Sequence, residues 1–232
     1  MRVEATIADE HAWVAEVLDT PVERPQWRVW RYPAAEIVLG CSQRALHGEV
    51  GRRAAPGIDV SVRPSGGGAV LAGPWMIGVS VVLAPDDPLL GEGLVASYRW
   101  LGELHARLMR ATGIEARAVG PQSLREAAGS PGAAPLRWAC FGALSPWEVV
   151  DAAGRKLTGL AQQRRRTGVA FSAGTLVSRP DWRLLCEALG APDDAPRLDR
   201  LTAACDEAPG ADRLEPDDWA QAIDEALGRL LG

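Results

Sequence analysis

Apolar residues recur along the 232-residue chain with two different periods, and the switches between them divide it into elements. From Ala8 to Leu18 the spacing is helical, with Asp9 and Glu10 near the positive end of the helix dipole. QWRVWRYP (26–33) and EIVLGCS (36–42) are short and β-rich with Pro33 between them, which predicts two strands joined by a turn. IDVSVRP alternates and stops at Pro64, and MIGVSVVLAP is a continuous apolar run of the length and branching of a buried strand. Gly93 to Thr112 carries Leu94, Leu101, Leu104 and Leu108 at helical spacing and predicts one helix. REAAGSPGAAPLRW (125–138) reads as a mobile loop. Residues 148–178 predict a strand, a turn and two further strands. Beyond Pro180 the pattern is helical to the end, with an acidic first turn and Arg229 in the last turn of the final helix. Strands thus fall in the first and third quarters with helices before, between and after. That order predicts an α+β fold on a mixed, mainly antiparallel sheet rather than a regular βαβ alternation.

Composition narrows the functional classes. A 47% apolar content supplies a full core, while a formal net charge of −5 argues against a nucleic-acid binder. No apolar run reaches bilayer length and the N-terminal segment is acidic, so a cytoplasmic protein with no membrane partner is expected. Cys41, Cys140, Cys186 and Cys205 show no CxxC spacing, and His11, His47 and His105 lie far apart, so no metal site is expected.

Two stretches carry candidate chemistry. In RPSGGGAVLAG (63–73), three successive glycines between strands weaken a sheet, which makes them either a turn or a place where a ligand approaches the backbone. Exposed N–H groups there suit an anion, with Arg63 and Ser65 alongside. The spacing is neither that of a P-loop nor that of a dinucleotide fingerprint. The second stretch is GRKLTGLAQ (154–162). Lys156 is the only lysine among 25 basic side chains, in a chain that otherwise uses arginine. A compact ammonium beside Gly154 and Gly159 would sit at the mouth of a glycine-lined pocket and hold a carboxylate or phosphate. Arginine at that position is expected to stop the chemistry at little cost to stability.

Together these stretches resemble one family: the lipoate–protein ligases and their octanoyltransferase relatives, which share a catalytic domain with biotin–protein ligases. RPSGGGAV and GRKLTGLAQ resemble two of its segments, FSAGTLV the strand that follows, and VLGCSQR an earlier Gly-x-x-Gln element. The resemblance implies a class II synthetase-like α+β catalytic domain over 1–180 with a helical extension, 181–232, packed on it. It implies lipoate or octanoate as substrate, bound by Arg63, Ser65, Gly66, Gly67, Gly68, Ala69, Gly159, Ala161 and Gly174, with Lys156 catalytic. The acceptor implied is a lysine on a lipoyl domain of a 2-oxoacid dehydrogenase or glycine cleavage protein, and QQRRRTG (162–168) is a candidate docking patch.

Three readings follow, of which the acyl-adenylate ligase is the expected one and the other two are alternatives. The first is transfer through an acyl-adenylate, with ATP and magnesium. The second resembles the cysteine-dependent octanoyltransferases: ACFGALSPWEVVDAAGRK places Cys140 where a thioester would form with octanoate from a carrier protein, without ATP. Against it, Cys140 reads equally as a small buried hydrophobe. The third is a non-catalytic acyl-binding paralogue, because Ala72, Ser172 and Ala173 stand where many members carry histidine.

Overall fold

The computed structural model describes residues 2–128, 134–207 and 215–232. In chain order the elements begin with β1 (Arg2–Glu4), α1 (Ile7–Val17), β2 (Gln26–Arg31), β3 (Glu36–Leu39) and α2 (His47–Arg53). β4 (Asp59–Val62), β5 (Val70–Ala72), β6 (Met76–Leu83), α3 (Gly93–Ala96) and α4 (Arg99–Ala111) follow. Then come β7 (Ala116–Ala118), α5 (Pro121–Ala128), β8 (Val149–Asp151), β9 (Lys156–Arg165) and β10 (Gly168–Leu176). α6 (Trp182–Ala188), α7 (Ala195–Leu201) and α8 (Pro216–Leu231) complete the chain. Among the described residues, seven strands form one sheet in the order β1-β2-β6-β10-β9-β8-β7, and three form a second in the order β4-β3-β5. Among these strands, β1–β2 and β3–β4 pair in parallel and the remaining ladders are antiparallel. The expected mixed, mainly antiparallel α+β architecture is what forms.

The run MIGVSVVL explains the two-sided core. Along β6, Ile77, Val79, Val81 and Leu83 pack with α4 and α8 on one face, while Met76 and Val82 join α1, α6 and the small sheet on the other. A strand covered on both faces reads as a continuous apolar run. The second face, between the two sheets, is the one that holds a cavity.

Three expectations need correction. β2 and β3 are strands, but they do not pair with each other: β2 joins β6, whereas β3 pairs with β4 and β5. The predicted long helix is two helices, α3 and α4. The Ser97 hydroxyl donates to Leu94 O at 2.8 Å and receives the Arg164 guanidinium at 3.0 Å, so the turn closes toward the sheet and Leu94 is left exposed. Arg125–Ala128, read as loop, ends α5; the following residues 129–133 lie outside the described residues.

His105 stands in the core of α4 with Nδ1 on Leu101 O at 2.9 Å. Burial lowers its pKa to about 4, so it folds neutral. An unfolded histidine takes up a proton near 6.5, so between there and about 4 the unfolded chain binds the extra proton. Stability is therefore complete above that window and falls as pH drops through it, by roughly 3 kcal/mol from this group. Urea unfolding at neutral and acid pH should show this loss, and His105→Phe should flatten it. Parallel losses in both proteins would remove His105 from the acid response.

Candidate active site

The single lysine is not at a pocket mouth. Lys156 opens β9 with its side chain 2% exposed, and its ammonium is fully engaged. Nζ donates to Cys140 O at 2.7 Å and Ala143 O at 3.1 Å, and pairs with Glu148 Oε2 at 2.7 Å. An ammonium has three protons, so all are committed. The Glu148 carboxylate is equally buried and accepts two backbone N–H groups, from Leu160 at 3.1 Å and Ser145 at 2.7 Å. Burial pushes the Glu148 carboxyl above its ordinary value, against the pull of the Lys156 ammonium.

Cys140 heads a short 3-10 turn and is partly exposed. A Cβ built on Gly159 would lie 3.5 Å from both Cys140 Sγ and Lys156 Nζ. The thiol and the ammonium thus converge on one point beneath β9, and only a glycine at 159 leaves that point open.

The glycine loop is stitched to the Cys140 turn. Ala69 N donates to Trp138 O at 2.7 Å and Cys140 N donates to Ala69 O at 2.8 Å. Gln43, from the Gly-x-x-Gln element, donates Nε2 to the same Trp138 carbonyl at 2.9 Å. Arg63 faces the loop's carbonyls: its guanidinium donates to Gly66 O and, at 2.7 Å, to Gly68 O. Among the described residues no protein acceptor meets the N–H groups of Gly66, Gly67 or Gly68, as an anion cradle requires.

The glycines differ in what they tolerate. Gly67 has φ +95°, and a Cβ on Gly68 would fall 2.6 Å from Trp138 O, so side chains at either strain the loop. A Cβ on Gly66 meets nothing within 4 Å. Gly66→Val is therefore the variant expected to keep the fold and block acyl-ligand binding, while Gly68→Val should lower the melting temperature. Calorimetry with an octanoyl ligand, beside thermal unfolding, checks both.

Arg63, Ser65, Cys140, Gly159, Ala161 and Gly174 line one cavity between the sheets, whose walls are otherwise mainly apolar. Ala69 is buried behind it, Gly66–Gly68 run beside Ser65, and Lys156 lies under the wall. Ala72, Ser172 and Ala173 line it too, so small side chains at those positions widen it.

Sequence reasoning missed the polar group in this cavity. Glu10, assigned above to the helix dipole, turns inward and accepts from Tyr32 Oη at 2.7 Å and Ser80 Oγ at 2.6 Å. Asp9 takes the cap role instead, bonded to Thr6. His11 also lines the cavity, its pKa lowered by burial first and by Arg63 as well, against the influence of Glu10, so its imidazole is neutral at pH 7.

The family model for the lipoyl protein ligase A/B catalytic domain matches residues 7–204. The chain belongs to that family. The octanoyltransferase LipM of Kyrpidia tusciae is 34% identical over 220 residues, covering 89% of this chain and 77% of that protein. A structure from the analysis of an archaeal lipoylation system, a bipartite lipoate protein ligase and its E2 lipoyl domain from Thermoplasma acidophilum, has a TM-score of 0.68 at 18% identity, over 99% of this chain and 81% of its own. A lipoate-protein ligase A bound with ATP gives 0.67 at 16% identity, over 100% and 83%. This member of the lipoyl protein ligase A/B family thus has the ligase fold, with its sequence likeness to an octanoyltransferase. Among the described residues, no group of three or more His, Cys, Asp or Glu side chains is arranged to hold a metal ion. No described helix is long and apolar enough to cross a membrane.

Proposed function

We propose that this enzyme of lipoyl or octanoyl transfer works through a thioester on Cys140, taking octanoate from a carrier-protein thioester and passing it to a lysine of a lipoyl domain. The convergence of Cys140 Sγ and Lys156 Nζ beneath Gly159, at the wall of an apolar cavity, carries this reading. The likeness to an octanoyltransferase agrees with it. In the first step the Cys140 sulfur attacks the thioester carbonyl. The new C–S bond forms, the carrier's C–S bond breaks, and the carrier thiol leaves with the proton that Cys140 gives up. In the second, the acceptor amine attacks, a C–N bond forms, the acyl C–S bond to Cys140 breaks, and the amine's proton passes to the departing sulfur, which restores the thiol. The fixed ammonium of Lys156 supplies positive charge where sulfur and carbonyl oxygen become anionic. Neutral His11 is a base within the same cavity, and the free N–H groups of Gly66–Gly68, in the loop beside Ser65, suit an oxyanion.

The arginines of the expected docking patch, Arg164, Arg165 and Arg166, are exposed at the β9–β10 turn, one step beyond the cavity residues Gln162 and Gln163. They suit an acidic protein substrate. Transfer through an acyl-adenylate is the second reading, favoured by the ligase fold. Purified protein with a lipoyl domain separates the two: octanoyl carrier protein alone should support modification, and octanoate with ATP should not. The reverse result establishes the adenylate route.

A further inference from the structure

Three irregularities meet at the Lys156 ammonium. First, the β8–β9 ladder carries a bulge: Val149 faces Thr158, but Val150 faces Lys156, so Leu157 is the extra residue. Bulges re-aim side chains. Second, Trp147 is the only non-glycine residue with positive φ among the described residues, at 70°. Such a conformation costs energy and persists only where the surroundings impose it. Here Trp147 N donates to Val119 O at 2.7 Å and Val119 N donates to Glu148 O at 2.9 Å, which clamps the backbone on both sides of the Trp147–Glu148 peptide. Third, Glu148 and Lys156 form a wholly buried ion pair, and ordinary stability does not call for one. The bulge aims the lysine at the carbonyls of the Cys140 turn, and the strained residue aims the glutamate at the lysine.

We infer that Glu148 is a positioning residue for acyl transfer: through Lys156 it fixes the Cys140 turn. The inference rests on the thioester reading of the site. Glu148 touches no reacting atom. Its Oε2 holds the ammonium, and the ammonium holds Cys140 O and Ala143 O, so the carboxylate sets the height of the sulfur over the cavity wall. Without the carboxylate the ammonium keeps only two of its three acceptors, and the turn it holds is free to shift.

Glu148→Gln is the test, because it keeps the shape and one acceptor oxygen while removing the charge. Octanoyl transfer should lose on the order of 100-fold in kcat, the scale of a misplaced reacting group, with KM for the carrier unchanged. In a Lys156→Met background the same substitution should change the rate by less than about twofold, because coupled residues are not additive. That background also guards against misfolding, since the double variant leaves no lone buried charge and should melt above Lys156→Met alone.

Iodoacetamide labelling of Cys140 gives a readout that needs no acyl donor. Cys41 is exposed and serves as the internal standard, while Cys186 and Cys205 are buried with thiols pushed up to about 12. Glu148→Gln should slow Cys140 about tenfold relative to Cys41, because the loosened turn no longer holds the thiol at the cavity wall. An unchanged or faster ratio, or effects of the two substitutions that multiply, would overturn the role of Glu148. A wild-type protein that alkylates normally yet accepts no octanoyl group would instead sink the transferase reading, with the labelling ratio still deciding on Glu148.

Discussion

Cys140→Ser should abolish carrier-dependent octanoyl transfer, by at least about 10⁴-fold, the scale on which removing a nucleophile costs an acyl-transfer enzyme. Serine is nearly isosteric, and the cysteine side chain accepts no hydrogen bond whose loss would loosen the turn; its backbone bonds to Ala69 and Lys156 are untouched. The melting temperature should therefore stay within a degree or two while activity disappears. An unactivated hydroxyl is a far weaker nucleophile than a thiol or thiolate. A Cys140→Ser enzyme that turns over octanoyl carrier protein normally would exclude the thioester, and one that uses octanoate with ATP would point to the adenylate.

Lys156→Arg comes next in expected size. The charge is retained, yet the three acceptors around Nζ are spaced for a tetrahedral ammonium: two carbonyls at 2.7 and 3.1 Å and a carboxylate at 2.7 Å. A planar fork matches the carboxylate but not both carbonyls. The ring of Phe141 lies 5.2 Å from Nζ, and the Cys140 thiol shares the space under Gly159, so the larger group pushes the turn outward. A displacement of about 1 Å costs on the order of 100-fold in rate, and both steps of the transfer suffer it. Burial also corrects the expectation that stability would be spared: overpacking a closed site costs roughly 1–3 kcal/mol. Steady-state transfer rates beside urea unfolding test both halves. Normal turnover by a folded arginine variant would remove the ammonium geometry from the mechanism.

Particular residues show how far the sequence reaches. Lys156 was legible from composition alone, because a lone lysine among arginines is informative wherever the two cations differ in chemistry. The glycine run was legible as a special backbone, but its two roles were not separable. Arg63 tying Gly66 O and Gly68 O is a tertiary closure that spacing does not encode. The two-sided run of β6 gave its strand at once, since period and length decide such cases. The partners of β3 were not readable, because adjacency in sequence favours a hairpin with β2, while Ile37 pairs with Val60, beyond an intervening helix, and with Leu71.

Glu148 left no trace at all. Eight residues before the lysine, it lies in a stretch that reads as an ordinary strand start, and its partnership depends on a one-residue bulge and a positive φ at Trp147. Glu10 was misread for a related reason: helical spacing gives the face but not which acidic neighbour turns inward, and Asp9 and Glu10 divide the cap and the cavity between them. Cys140 was balanced between buried hydrophobe and nucleophile because no histidine is near it in sequence. The fold brings His11, 129 positions earlier, to the same cavity, which is a tertiary fact.

Incubation with octanoyl carrier protein alone, in the absence of nucleotide and acceptor domain, tests the central claim most directly. Intact-mass analysis should show one octanoyl group gained, peptide mapping should place it on Cys140, and hydroxylamine should remove it, as a thioester requires. A protein that gains no mass under these conditions, yet modifies a lipoyl domain when given octanoate and ATP, would contradict the account.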